Sequence, residues 1–300
     1  MINASGVVKS FGDFKALDNL SLHVKKGSVY GLVGPNGAGK TTFIKSLMGI
    51  YKINDGEIRI DGEVTYENAN IKKRVICISD DLFFHQSYSI METAKLYAGI
   101  YPNWNWDIFD KMKDIFKINV KRRVRRLSKG MQKQVAFWLG LSTQPDVMIL
   151  DEPVDGLDPV MRRNVWSLML QAVSEREMTV LVSSHNLREL EDVCDHVGIL
   201  HEGKVVIEKS LDDIKGNIHK LQIAFSDRQF PEALETKLDV LNKTGFGSVT
   251  MLIVKGESEE ILNCVNQYNP VVCDILPLTL EEVFIYELGG MGYEFETILL

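Results

Sequence analysis

The stretch GPNGAGKTT, residues 34 to 42, constrains this chain more than any other. Val29 to Val33 form a compact apolar run before it. Residues 41 to 48 show helical apolar spacing after it, and Gly49 is placed to end that helix. A strand, a glycine loop and a helix in this order fit the pattern GxxxxGK[ST]. The requirement behind the pattern lies in the backbone, because several N–H groups must reach one anion together and Cβ atoms would obstruct them. Gly34, Gly37 and Gly39 clear that approach, and Pro35, Asn36 and Ala38 complete the loop. The helix then aims its first N–H groups and the positive end of its dipole at the same anion. Lys40 is placed for the β- and γ-phosphates, Thr41 for a Mg²⁺ ion and Thr42 for the α-phosphate of a nucleoside triphosphate.

A second apolar run, Val147 to Leu150, ends in Asp151 and Glu152. Buried parallel strands deliver ligand-binding side chains at their C-terminal ends. Asp151 is therefore expected to support the metal, and Glu152 to orient and deprotonate an attacking water. A third run, TVLVSS (179–184), ends beside His185, and Asp158-Pro159 between the two runs is an N-cap followed by Pro at the first helical position. Such alternation predicts an α/β core with parallel strands. Ser89-x-x-Glu92 is a capping box, and Asn105 caps a helix carrying Ile108, Phe109, Met112, Ile115 and Phe116.

The 300 residues suffice for one large and one small domain, with 45% hydrophobic and 25% charged residues. A net charge of −7 argues against a nucleic-acid partner. No apolar stretch reaches bilayer-spanning length and no secretion signal opens the chain, so a cytoplasmic location is expected, with any membrane role exerted through a partner. Cys77, Cys194, Cys264 and Cys273 form no CxxC pair and are expected as reduced, buried thiols.

The order GPNGAGKTT, LSKGM (127–131), ILDEPVDGLD (149–158) and SSH (183–185) resembles the ATP-binding cassette family over residues 1 to about 215. The resemblance implies a P-loop NTPase with a RecA-like α/β core, an N-terminal antiparallel β-subdomain and a helical subdomain at about 81–140. It also implies hydrolysis of ATP, with Mg²⁺, between two cassettes packed head to tail. In that arrangement Ser128 and Gly130 face the nucleotide held by the second cassette. Phe11 matches the aromatic that stacks on adenine, and His185 the switch histidine that contacts the γ-phosphate and steadies Glu152. Asp155 and Asp158 match the loop linking the two sites. Lys129 and Met131 depart from LSGGQ, and Asp80 stands where the family offers Gln to the metal, a place from which an acid can still contact Mg²⁺ or its water.

The segment from Phe83 to Trp106 is rich in aromatics. In similar transporters this region receives a short helix from the membrane permease. Core packing accounts for part of the set, Trp104 and Trp106 foremost. The run Lys121 to Arg126 is expected as a solvated surface. Residues 216–300 are expected as a small α+β appendage, with strands in KLQIAF and SVTMLIVKG separated by a short helical stretch. A capping box, Thr279-x-x-Glu282, opens its last helix, which carries Leu280, Val283, Phe284 and Leu288 and ends at Gly289. This tail resembles those of ABC-2-type exporter cassettes. The resemblance thus implies a peripheral ATPase subunit on the cytoplasmic face of the membrane that drives an exporter. The alternative is a soluble cassette that remodels a nucleic-acid or ribosomal partner.

Overall fold

A computed structural model of the chain describes residues 1–211, 218–226 and 230–289. It divides into two compact units, Met1–Glu208 and Lys209 onward. Residues 290–300 and the side chains of Phe284 and Leu288 lie outside the described residues.

The first unit opens with two long antiparallel strands, β1 (Ile2–Phe11) and β2 (Phe14–Val24). β3 (Val29–Val33) and helix α1 (Lys40–Leu47) flank the glycine loop. β4 (Asp55–Ile60) and β5 (Glu63–Val64) complete a four-stranded sheet of order β2-β1-β4-β5. After the short α2 (Ala69–Lys72) come β6 (Val75–Ile78), α3 (Ile90–Ile100), α4 (Trp106–Phe116) and α5 (Lys129–Ser142). β7 (Val147–Asp151), α6 (Pro159–Arg176), β8 (Thr179–Ser184), β9 (His196–His201) and β10 (Lys204–Ser210) follow. The second sheet has the order β10-β9-β3-β8-β7-β6.

The pairs β9/β3, β3/β8, β8/β7 and β7/β6 are all parallel. Every residue of β3, β7 and β8 is buried, as expected of strands covered on both faces. Their register places Val33 beside Ser184 and Asp151 beside Ser183. The glycine loop, the carboxylate pair and His185 thus leave the sheet side by side at the C-terminal ends of neighbouring strands.

Local chemistry sets the helix starts. Ser89 caps α3 in a complete capping box with Glu92, Asn105 caps α4 through the Ile108 amide, and Asp158 caps α6 with Pro159 directly after it. Helix α5 is buried along Val135 to Ser142. Its Trp138 is fully buried, donates Nε1–H to the Phe109 carbonyl (2.8 Å) and stacks on Phe109 with ring centroids 4.9 Å apart. Trp104 and Trp106 also pack on Phe109, with centroids 5.7 and 5.5 Å away. Phe83, by contrast, is 89% exposed, while its neighbour Phe84 is buried.

The second unit is a four-stranded antiparallel sheet of order β12-β13-β11-β14. Its elements are β11 (Ile218–Ala224), α7 (Glu232–Lys237), β12 (Asp239–Phe246), β13 (Val249–Lys255), α8 (Ser258–Asn266), β14 (Val272–Leu276) and α9 (Leu280–Gly289). Leu221, Ile223, Leu234, Leu252, Val254, Ile261 and Val265 form its own core. Thr279 and Glu282 bond reciprocally at the start of α9. The described structure holds two more strands, β12 and β14, and one more helix, α8, than the sequence indicated.

Candidate nucleotide site

The glycine loop curls between β3 and α1. Gly39 caps α1 with a left-handed backbone (φ 111°), and a Cβ there would lie 2.6 Å from the Ala16 carbonyl. At Gly34 a Cβ would lie 2.2 Å from the Leu200 carbonyl, so both positions demand glycine. Gly37 (φ 85°) has open space where its Cβ would be. The first amides of α1 lack intrahelical acceptors and face this open side. The loop is therefore a cradle of backbone donors with the shape and polarity that a polyphosphate requires.

Lys40 is 6% exposed and lies across the loop, donating to the carbonyls of Gly34 (2.5 Å) and Pro35 (3.2 Å). Its ammonium is 3.7 Å from Glu152 Oε1. Burial lowers the pKa of this ammonium, against the opposing pull of Glu152 and Asp151. The Thr41 hydroxyl donates to Asp151 Oδ2 (2.9 Å), and Ser183 donates to Asp151 Oδ1 (2.5 Å). Asp151 is thus buried and fully oriented. Thr41 and Asp151 make a hard-oxygen pair suited to Mg²⁺.

Glu152 sits on a left-handed backbone (φ 47°) just past the end of β7. Its Oε2 is 2.9 Å from His185 Nδ1. Burial pushes its carboxyl above the usual range, while Lys40 and His185 hold it back. Asp155 joins them, for one ligand atom each of Glu152, Asp155 and His185 lies within 4.8 Å of the others. Asp158 serves the fold, its carboxylate accepting from the amides of Val160 and Met161.

The structure therefore brings together Gly34 to Thr42, Asp151, Glu152 and His185. Phe11, at the end of β1, is 44% exposed and meets Tyr51 edge-on at 5.3 Å, with the Lys9 ammonium 4.9 Å from its ring centroid. Ser128 lies in an exposed turn and caps α5 by accepting from the Met131 amide (3.3 Å). Gly130 packs so closely that a Cβ would lie 2.5 Å from the Gly156 carbonyl. The cations from Lys121 to Arg126 are exposed.

Asp80 accepts from Lys133 Nζ at 3.2 Å. Lys133 is 5% exposed, lies on α5 and also donates to the Glu152 carbonyl at 2.7 Å. Sequence reasoning missed Lys133 and Ser183. Ser183 belongs to the SSH stretch and could have been found from the alternation of β8, but nothing local marks Lys133.

The parallel sheet, the glycine cradle and the Lys–Asp–Glu–His grouping define a P-loop nucleotide hydrolase. Comparison with known proteins carries this to a family. The family model described as ABC transporter matches residues 17–155. "ABC transporter ATP-binding protein YtrB" of Bacillus subtilis (strain 168) is 31% identical over 290 residues, covering 97% of this chain and 99% of that protein. "Bacitracin transport ATP-binding protein BcrA" of Bacillus licheniformis is 34% identical over 232 residues, 76% of each chain. A solved structure of an ATP-binding subunit of an ABC transporter superposes with a TM-score of 0.67 at 25% identity, covering 72% of this chain and 92% of that one. A dimeric ATP-binding cassette bound to ADP and Pi shares the fold, with a TM-score of 0.64 at 21% identity, covering 70% of this chain and 99% of that one. The chain belongs to the family of ABC transporter ATP-binding subunits. It is an ATPase, and no described helix is long and apolar enough to cross a membrane.

Proposed function

We propose that this chain powers a membrane exporter from the cytoplasmic face, by closing on ATP with a second cassette, its own copy or a related chain. The observation that carries the reading is the contact of Lys40 and His185 with the two oxygens of Glu152, at 3.7 and 2.9 Å. A half-buried carboxylate oriented by a cation on one side and an imidazole on the other is suited to take a proton from water beside the phosphate cradle. Within this reading Lys40 leaves the loop carbonyls for the phosphates, and Phe11 stacks on adenine. Thr41 and Asp151 would hold Mg²⁺, which when bound screens the phosphate charge. His185 holds Glu152 on one rotamer and reaches the γ-phosphate.

Ser128 and Gly130 act on the nucleotide of the mate. An exposed serine at the N-terminus of a 14-residue helix offers a hydroxyl, amides and a dipole end to an anion from outside. Lys129, exposed beside them, adds a positive charge. Exposed Phe83 fits an apolar anchor for the permease. The names of two relatives, a bacitracin and a lantibiotic transport protein, support a transport role.

The test has two arms. Glu152→Gln should be trapped as an ATP-dependent dimer by light scattering, and a dimer that forms equally without ATP contradicts the proposal. Affinity purification from membranes should recover a polytopic protein. Recovery of ribosomes or nucleic acid would favour a remodelling role instead.

A further inference from the structure

Three segments meet at one buried ammonium. Lys133 comes from α5, five residues after the Ser128 cap. Its Nζ donates to the backbone carbonyl of Glu152 at 2.7 Å and to the Asp80 carboxylate at 3.2 Å. Asp80 lies two residues past the end of β6 and is itself 61% exposed. A lysine whose side chain is 6% exposed carries a charge that is costly to bury and must be held by acceptors. Here both acceptors belong to elements that matter to the site. Glu152 occupies a left-handed backbone that a non-glycine residue adopts only when its surroundings impose it. The Lys133 bond to its carbonyl is one such constraint.

We propose that Lys133 is a positioning residue for Glu152, and that Asp80 is the counter-ion of Lys133 and not a metal ligand. The inference rests on Glu152 being the general base. Asp80 and exposed Phe83 share one loop, three residues apart, with Phe84 buried behind them. A partner that presses on Phe83 shifts Asp80, Asp80 shifts the Lys133 ammonium, and the ammonium tilts the Glu152 backbone. The loop after β6 therefore communicates with the catalytic carboxylate through an ion pair, without passing through a bound metal. The same ammonium ties the Glu152 backbone to α5, whose first turn faces the mate's nucleotide in the reading above.

The experiment uses the purified full chain. Lys133→Met keeps the apolar stem and removes the donor. It should lower kcat by about 10²-fold, the usual cost of a misplaced catalytic group, while the ATP dissociation constant stays unchanged. Asp80→Ala should lower kcat in the same direction and leave the Mg²⁺ concentration for half-maximal rate where it was. Combined with Lys133→Met, it should add nothing further, since both act through one contact. Wild-type kcat in Lys133→Met overturns the proposal, as does full multiplication of the two losses. A raised Mg²⁺ requirement in Asp80→Ala returns Asp80 to the metal. Should Lys133→Met not fold, the exposed Asp80→Ala decides alone: an unchanged kcat overturns the proposal. Glu152→Gln assayed alongside separates the two readings. If it turns over normally, the general-base role fails; if it is inactive while Lys133→Met is active, only the role of Lys133 fails.

Discussion

Gly130→Ala tests how the α5 turn is built. In the structure a Cβ at residue 130 lies 2.5 Å from the Gly156 carbonyl oxygen. Ordinary carbon contacts begin near 3.5 Å, so one partner must retreat by about 1 Å. Helix α5 cannot retreat freely, since Val135, Phe137, Trp138 and Leu139 are fully buried along it. The loop around Gly156 must yield, and Leu157 and Val154 on either side are buried and bonded to each other through Leu157 N–H. Overpacking of this kind costs about 1–3 kcal/mol. For a unit of this size that corresponds to a loss of about 2–12 °C in Tm, read by calorimetry of the full chain. The displaced loop also carries Asp155, next to Glu152 and His185. Turnover should therefore fall together with stability, by up to about 10²-fold for a displacement of this size. A Gly130→Ala protein with wild-type Tm and wild-type turnover would refute the reasoning. It would show that the 155–157 loop moves away without cost.

Other expectations follow from the same geometry. Glu152→Gln should slow hydrolysis by about 10²- to 10⁴-fold in a single-turnover phosphate-release assay, with ATP binding retained. The base works deprotonated and burial raises its pKa, so kcat should fall with decreasing pH at values above the usual carboxylate range. A pH–rate profile that stays flat down to that range would contradict this. Ser128→Arg should abolish the ATP-induced dimer seen by light scattering, because its side chain would fill the seat offered to the mate's phosphate. Trp138→Ala should cost about 3–5 kcal/mol in denaturant unfolding, since it empties a fully buried aromatic stack and leaves the Phe109 carbonyl without its indole partner.

The residues singled out in the sequence that lie together in the structure share a physical property. Glu152 and His185 each stand just past a strand whose two faces are both buried, Lys40 follows another such strand across the glycine loop, and such strands read as unbroken apolar runs. Parallel pairing then brings their ends together whatever the length of chain between them. The caps at Ser89, Asn105 and Asp158 were legible for a different reason, as each satisfies amides within three residues of itself. Strand β12 (DVLNKTGF) was not legible. Its apolar residues, Val240, Leu241 and Phe246, do not alternate with polar ones, and its place is set by pairing with β13.

The contacts that escaped the sequence are those made between the flank of one element and the backbone of another. Lys133 is one basic residue among several near the start of α5, and its spacing says only that it faces inward with Val135 to Leu139. What makes it distinctive is that β7 ends where α5 passes, so that the Glu152 carbonyl lies 2.7 Å from its ammonium. The closeness of Gly130 to Gly156 arises in the same way, from a helix start crossing a loop. Both contacts join the α5 segment to the turn after β7. Residue patterns locate the parts that touch a nucleotide because phosphate chemistry fixes residue type at each position. They do not locate the parts that hold those groups in place, because many residue types can do so once the packing is fixed. The coupling between Glu152 and α5 belongs to this second kind, and it is reached through coordinates and not through motifs.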